Sequence, residues 1–122
     1  MITEDYVSYD IAILLKEKGF HEPCIATYNL LTKDFYIEET YQDWTSYWKN
    51  FISAPTYQMA MKWLRKVHKV NIEIHYNRFG ENYKYLIIYK PVILDDIHSL
   101  GVYFHYEEVV EAALKYTLEN LI

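Results

Sequence analysis

One cysteine, five histidines and one pair of adjacent aspartates are the groups whose type and spacing could do chemistry in this chain. His21 and Cys24 stand in the run His-Glu-Pro-Cys, which offers two metal ligands. Structural zinc takes four ligands, usually as two such pairs. No second cysteine exists, and His68, His75, His98 and His105 are scattered. A buried strand cysteine near a surface histidine accounts for the pair, so no metal is expected. A Cys–His nucleophile needs a histidine delivered to Cys24 by the fold, and no catalytic signature surrounds this cysteine. Asp95-Asp96-Ile97-His98 offers oxygens to a hard cation or to acid–base work, although an acid pair in a loop more often forms a turn or helix cap. There is no Gly-rich phosphate loop and no hydrolase serine motif. No catalytic residue and no cofactor is expected, and a Cys–His enzyme is kept as the minor alternative.

Two features suit binding. Lys62, Arg65, Lys66 and Lys69 recur at helical spacing, with Lys49 and Arg78 nearby in sequence. Such a stripe neutralises phosphates. It also reads as a solvated helix face, or one paired with Glu107, Glu108 and Glu111 of a later helix. Net charge is −5, with pI about 5.5, which weighs against nucleic acid as the main partner. The charge is blocked: residues 1–48 carry −6, residues 49–94 carry +6 and residues 95–122 carry −5. The second feature is aromatic content of 18%, including fourteen tyrosines and three tryptophans. Tyrosine fills strands well, and aromatic surfaces also serve contact. Trp44, Tyr47 and Trp48 are expected protein-contact residues, or core. Tyr83, Tyr85 and Tyr89 alternate along one strand and suit a sheet face open to a partner.

The elements that position these groups follow from periodicity. A helix starts after Ser8, a good N-cap, carries Ile11, Ala12, Leu14 and Leu15 on one stripe, and stops at Gly19. Residues 24–30 and 35–39 form a hairpin through Thr32-Lys33-Asp34. Residues 40–52 read either as a short helix or as an aromatic-anchored loop. Ser53-Ala54-Pro55-Thr56 opens the second helix, with Thr56 as N-cap and Met59, Ala60, Trp63, Leu64 and Val67 on its apolar face. Residues 71–77 alternate apolar and polar, and 83–90 are apolar on both faces, which predicts a second hairpin with the latter strand central. Residues 91–104 read as a loop that ends in a short strand at Val102-Tyr103-Phe104. The last helix begins near Tyr106, with His105 a poor N-cap.

The expected fold is therefore α+β, in the order α-β-β-α-β-β-α, one domain over residues 1–122. The hairpins are expected to join in one antiparallel sheet with helices mainly on one face. The opening Tyr9-Asp10, Leu14 to Phe20 and Glu22-Pro23-Cys24 form one recognisable block. Ser53 to Thr56 with Met59 to Arg65 form another, and Tyr106 to Leu121 a third. Together the three blocks resemble a family of small proteins found in phage-derived and mobile DNA of gut Bacteroidetes. That family carries no assigned activity and no defined catalytic residues, so the resemblance implies a mobile-element origin and a folding role for each block.

The N-terminus lacks the basic-then-apolar order of a signal peptide. No apolar run approaches the ~20 residues that span a bilayer. A single cysteine suits a reducing compartment. The expectation is a cytoplasmic, non-membrane protein-interaction module. Its partner is an unknown protein, with a homodimer as an open alternative and nucleic acid as the second reading.

Overall fold

The computed structural model describes residues 1–89, 92–95 and 103–122. Residues gather into two compact units, Met1–Ala60 and Met61–Ile122.

The first unit opens with α1, Tyr9–Glu17. Ser8 caps it, its hydroxyl accepting from the Ile11 amide at 3.3 Å. Gly19, at φ +88°, closes it. The Phe20 amide donates to the Leu15 carbonyl at 3.0 Å and the Gly19 amide to that of Lys16 at 3.1 Å. This is the paired closure that only a left-handed residue permits cheaply. It buries Phe20 together with Ile11, Ala12 and Leu15.

Strand β1, Cys24–Asn29, pairs antiparallel with β2, Phe35–Gln42, and with β3, Phe51–Ser53, in the order β2-β1-β3. Asn29 builds the β1–β2 turn. Its side-chain oxygen accepts from the amides of Leu31 at 2.8 Å and Thr32 at 3.1 Å, and Lys33 takes φ 64°. Between β2 and β3 lies the one-turn helix α2, Trp44–Tyr47, capped by Asp43. Residues 40–52 therefore hold the end of a strand, a helical turn and a short strand, where the sequence left helix and loop open. Two reciprocal bonds fasten α2 to β3. The Trp44 amide donates to Ser53 Oγ at 3.0 Å, and the Ser53 amide to Thr45 Oγ1 at 3.1 Å.

Helix α3, Tyr57–Val67, continues from the first unit into the second. Thr56 is its N-cap as expected, accepting from the Met59 amide at 3.1 Å. Ala60, Met61, Trp63 and Leu64 are buried. Val67, expected on that face, is 55% exposed because the helix ends there.

In the second unit β4, Val70–Asn77, β5, Asn82–Tyr89, and β6, Val92–Asp95, form a second antiparallel sheet in the order β4-β5-β6. Strand β5 is central, as its two-sided apolar character predicts. The two hairpins thus belong to separate three-stranded sheets and not to one shared sheet, which corrects that expectation. Strand β6 falls where a loop was expected. An isolated bridge joins Tyr83 to Tyr103, so the short strand expected at Val102-Tyr103-Phe104 is one bridged residue among those described. Helix α4, Tyr106–Asn120, packs on β5 and β4, burying Val109, Val110, Ala113, Leu114, Thr117 and Leu118. His105 makes no side-chain cap, as its chemistry predicts. The α+β class and the expected element order hold, with α2, β3 and β6 as short additions.

Candidate functional site

The reactive groups are placed apart. Cys24 is 1% exposed, with Sγ 3.5 Å from the Glu22 carbonyl and 3.9 Å from Met59 Sδ. Burial, and then the Asp43 charge, push its thiol up to about 12, against the pull of a Ser53 hydrogen bond. A nucleophile needs the reverse shift. His21 turns to other partners: its Nδ1 lies 2.9 Å from Ser46 Oγ and 3.5 Å from Asp43 Oδ2. This Ser-His-Asp trio is no relay, because both partners meet the same ring nitrogen, whereas a triad uses both nitrogens. His75 sits 3.3 Å from Glu73 and His105 3.9 Å from Glu108, while the His68 ring stands edge-on to Trp63 at 4.7 Å. No three metal-ligating side chains gather among the described residues. The Asp95-Asp96-Ile97-His98 cluster lies outside the described residues as a side-chain site.

Cys24 yields a sharp expectation. The folded state holds its proton beyond the ordinary value of 9.0. The resulting stability is fully present below that pH and is lost as pH rises toward 12. Across that window the wild-type unfolding free energy is expected to fall faster than that of Cys24→Ala, by at most about 1.4 kcal/mol per pH unit. Urea titrations of the two proteins measure the difference. Alkylation at neutral pH is expected only in denaturant, and rapid labelling of the native protein would contradict the buried thiol.

The expected contact residues divide. Tyr47 and Trp48 are 81% and 46% exposed, as a contact surface requires. Trp44 is a correction: it is 7% exposed, and its Nε1–H donates to the Cys24 carbonyl at 2.7 Å. One helical turn lies between the two tryptophans. The chain then goes extended at Trp48, at φ −127° and ψ 114°, so Trp44 turns inward and Trp48 outward. Tyr85 is the second correction, 6% exposed on the β5 face beside Ile87, with Tyr83 and Tyr89 only part-exposed. The tyrosine face of β5 is a covered face and not an open one.

The open aromatic surface is on β2, which sequence reasoning missed. Seven of its eight residues are exposed, including Phe35, Tyr36, Ile37 and Tyr41. Strand β2 is an edge strand, paired among the described strands only with β1. Its register jumps from Ala26↔Ile37 to Cys24↔Gln42, so Glu38, Glu39, Thr40 and Tyr41 bulge out opposite Ile25 alone. A charged bulge blunts an edge against indiscriminate pairing. The signal was the unbroken run Phe35-Tyr36-Ile37, where a half-buried strand would alternate.

A row of rings runs beside this edge. Tyr6 and Phe35 are 5.3 Å apart between centroids, Phe35 and Tyr28 are 5.1 Å apart, and Tyr28 meets Tyr9 edge-on at 5.7 Å. Tyr28 is fixed by its hydroxyl, which donates to the Val7 carbonyl at 2.7 Å. Lys33 Nζ sits 5.1 Å over the Tyr9 ring at one end. At the other end Tyr6 joins Glu4, Tyr41, Cys24, Met59 and Thr56 around a pocket of about 270 Å³. Burial, then Tyr41, then Glu4 raise the Tyr6 hydroxyl above its ordinary pKa.

Lys62, Arg65 and Lys66 are exposed on α3; Lys69, expected on the same helical stripe, is exposed too but lies past the helix end at φ 59°. Glu108 approaches His105, and Lys69 Nζ donates to the Lys66 carbonyl at 3.1 Å. No described helix is long and apolar enough to cross a membrane. No family model, no curated protein and no solved structure matches this chain.

Proposed function

We propose that this chain is a non-catalytic protein-interaction module, a cytoplasmic accessory factor of phage or mobile-element origin. The observation that carries the interaction reading is the exposure of Phe35, Tyr36, Ile37 and Tyr41 along one edge strand, with Tyr47 and Trp48 close by in the same unit. Exposed apolar side chains gathered on an unpaired strand edge suit a partner that adds backbone pairing and fills side-chain positions. The mobile-element part of the proposal rests on the three resembling sequence blocks.

A second reading, nucleic-acid binding through α3, is favoured by one observation. Lys62, Arg65 and Lys66 are exposed and make no ion pair among the described residues.

One capture experiment separates the two. Wild type, Ile37→Asp and the quadruple Glu variant of Lys62, Arg65, Lys66 and Lys69 are used as bait in host lysate with and without nuclease. The proposal expects a stoichiometric protein held by wild type and by the α3 variant, lost in Ile37→Asp and indifferent to nuclease. Ile37 is 61% exposed, so its replacement is expected to cost stability little. Loss in the α3 variant and after nuclease treatment, with Ile37→Asp unaffected, would move the conclusion to nucleic acid.

A further inference from the structure

The pocket at the end of the ring row has a chemistry more specific than apolar contact. At about 270 Å³ it falls just under the roughly 300–1,000 Å³ of ordinary small-molecule sites. That volume suits one long side chain better than a cofactor. Its lining combines two phenol rings, Tyr6 and Tyr41, one carboxylate, Glu4, and the thioether of Met59. Ring faces carry negative potential and attract ammonium or guanidinium groups within about 6 Å. A carboxylate beside them adds net charge, and the soft sulfur accommodates an alkyl stem. An anionic side chain would meet the Glu4 carboxylate, which repels it.

Two independent observations point the same way. Residues 1–60 hold nine acids against four bases, so this unit alone carries −5. That field draws cations toward the unit before any contact forms. The ring row also already seats one cation, Lys33 over Tyr9, at the end away from the pocket. The Tyr6 hydroxyl is raised first by burial and only then by the Tyr41 and Glu4 charges at the pocket end.

We infer that the Glu4–Tyr6–Tyr41 pocket is a recognition site for an arginine or lysine side chain presented by a basic peptide segment of a protein partner. The inference rests on the protein-interaction reading and names its anchor. The β2 edge supplies contact, and the pocket selects a basic residue beside it.

The test uses the full-length chain and a capped Gly-Arg-Gly peptide, with the citrulline peptide as its neutral isostere. Tyr6 and Tyr41 ring signals and the Met59 methyl are followed by NMR as peptide is added. The arginine peptide is expected to shift these signals saturably at millimolar concentration, and the citrulline peptide to bind about tenfold more weakly. Glu4→Gln and Tyr41→Leu alter exposed side chains and are each expected to weaken binding about threefold or more. Glu17→Gln, an exposed acid elsewhere in the same unit, is expected to leave binding unchanged. Equal binding of the citrulline peptide, equal loss in Glu17→Gln, or no shift with the arginine peptide each overturns the inference. A captured partner lost in Ile37→Asp whose measured affinity is unchanged in Glu4→Gln would overturn it too, while leaving the interaction reading in place.

Discussion

Trp44→Ala is expected to destabilise the protein by about 3–5 kcal/mol, while Trp48→Ala is expected to cost about 1 kcal/mol or less. The two residues are one helical turn apart and their rings are 5.8 Å from centroid to centroid, yet their surroundings differ in kind. Trp44 is 7% exposed, so truncation leaves a cavity that the neighbouring strands fill only in part. It also orphans the Cys24 carbonyl, which accepts from Trp44 Nε1–H at 2.7 Å. That group is buried, and an unmet buried acceptor adds about 1–3 kcal/mol to the cost of truncation. Trp48 is half in solvent and its Nε1–H donates to the Gln42 side chain at 2.9 Å, a bond that water replaces. Whole domains are stable by only about 5–15 kcal/mol, so the Trp44 loss removes a large share. Urea titrations followed by far-UV circular dichroism measure both, since fluorescence would change with the tryptophans themselves. A Trp44→Ala protein with a wild-type midpoint and weakened partner capture would instead make Trp44 a contact residue.

The tryptophan pair marks where sequence reasoning stops. Features set by a few neighbouring residues were legible. Ser8, Gly19 and Thr56 each act at the helix end their chemistry suits, because capping depends on side-chain reach and backbone angles within one turn. Asn29, three residues before Thr32 of the expected turn, supports it by accepting from the Leu31 and Thr32 amides. Alternation in β4 correctly placed Ile72 inward and Glu73 outward. Features set by a distant partner were not legible. Strands β2 and β5 both carry apolar residues on successive positions, and the pattern alone reads the same. In β5 a strand on each side and a helix above make that pattern core. In β2 a single neighbour leaves it exposed. Pairing of the hairpins was equally hidden. Periodicity defines which face of a strand is apolar, but not which strand lies at its edge, so one sheet and two sheets satisfy the same residues.

The candidate site shows the same division. Tyr47 and Trp48, which the sequence left open between contact and core, are exposed. The pocket draws Glu4 and Tyr6 from the N-terminal segment, Cys24 from β1, Tyr41 from the β2 bulge and Met59 from α3. No spacing rule connects five positions so far apart. Backbone contacts assemble them: the Val7 amide donates to the Pro55 carbonyl and the Tyr57 amide to that of Asp5, each at 3.0 Å, on either side of the Tyr6–Thr56 bridge.

Tyr85→Glu is expected to abolish folding of the second unit at neutral pH, and Tyr85→Phe to cost only about 1 kcal/mol. Had the β5 tyrosines faced solvent, the Glu variant would stay folded and only split a dimer. The structure reverses that expectation. Tyr85 is 6% exposed, lies opposite Ile74 of β4 and sits in the central strand beneath α4. Its ring centroid is 6.2 Å from that of Tyr103. Glutamate there forfeits the aromatic packing, worth about 3–5 kcal/mol, and buries a carboxylate that costs several kcal/mol more if it stays ionised. Those terms together rival the stability of a whole domain. Acid should give partial rescue. Burial raises the introduced carboxyl above its unfolded value of about 4.3, so the folded state binds the proton more tightly. Stability relative to wild type is then regained as pH falls through that raised pKa and is lost again as pH rises through it. Circular dichroism of Tyr85→Glu between about pH 4 and pH 8, beside wild type, reads the effect directly. Retention of native structure at neutral pH, with sedimentation showing a change from dimer to monomer, would return the tyrosine face of β5 to the surface.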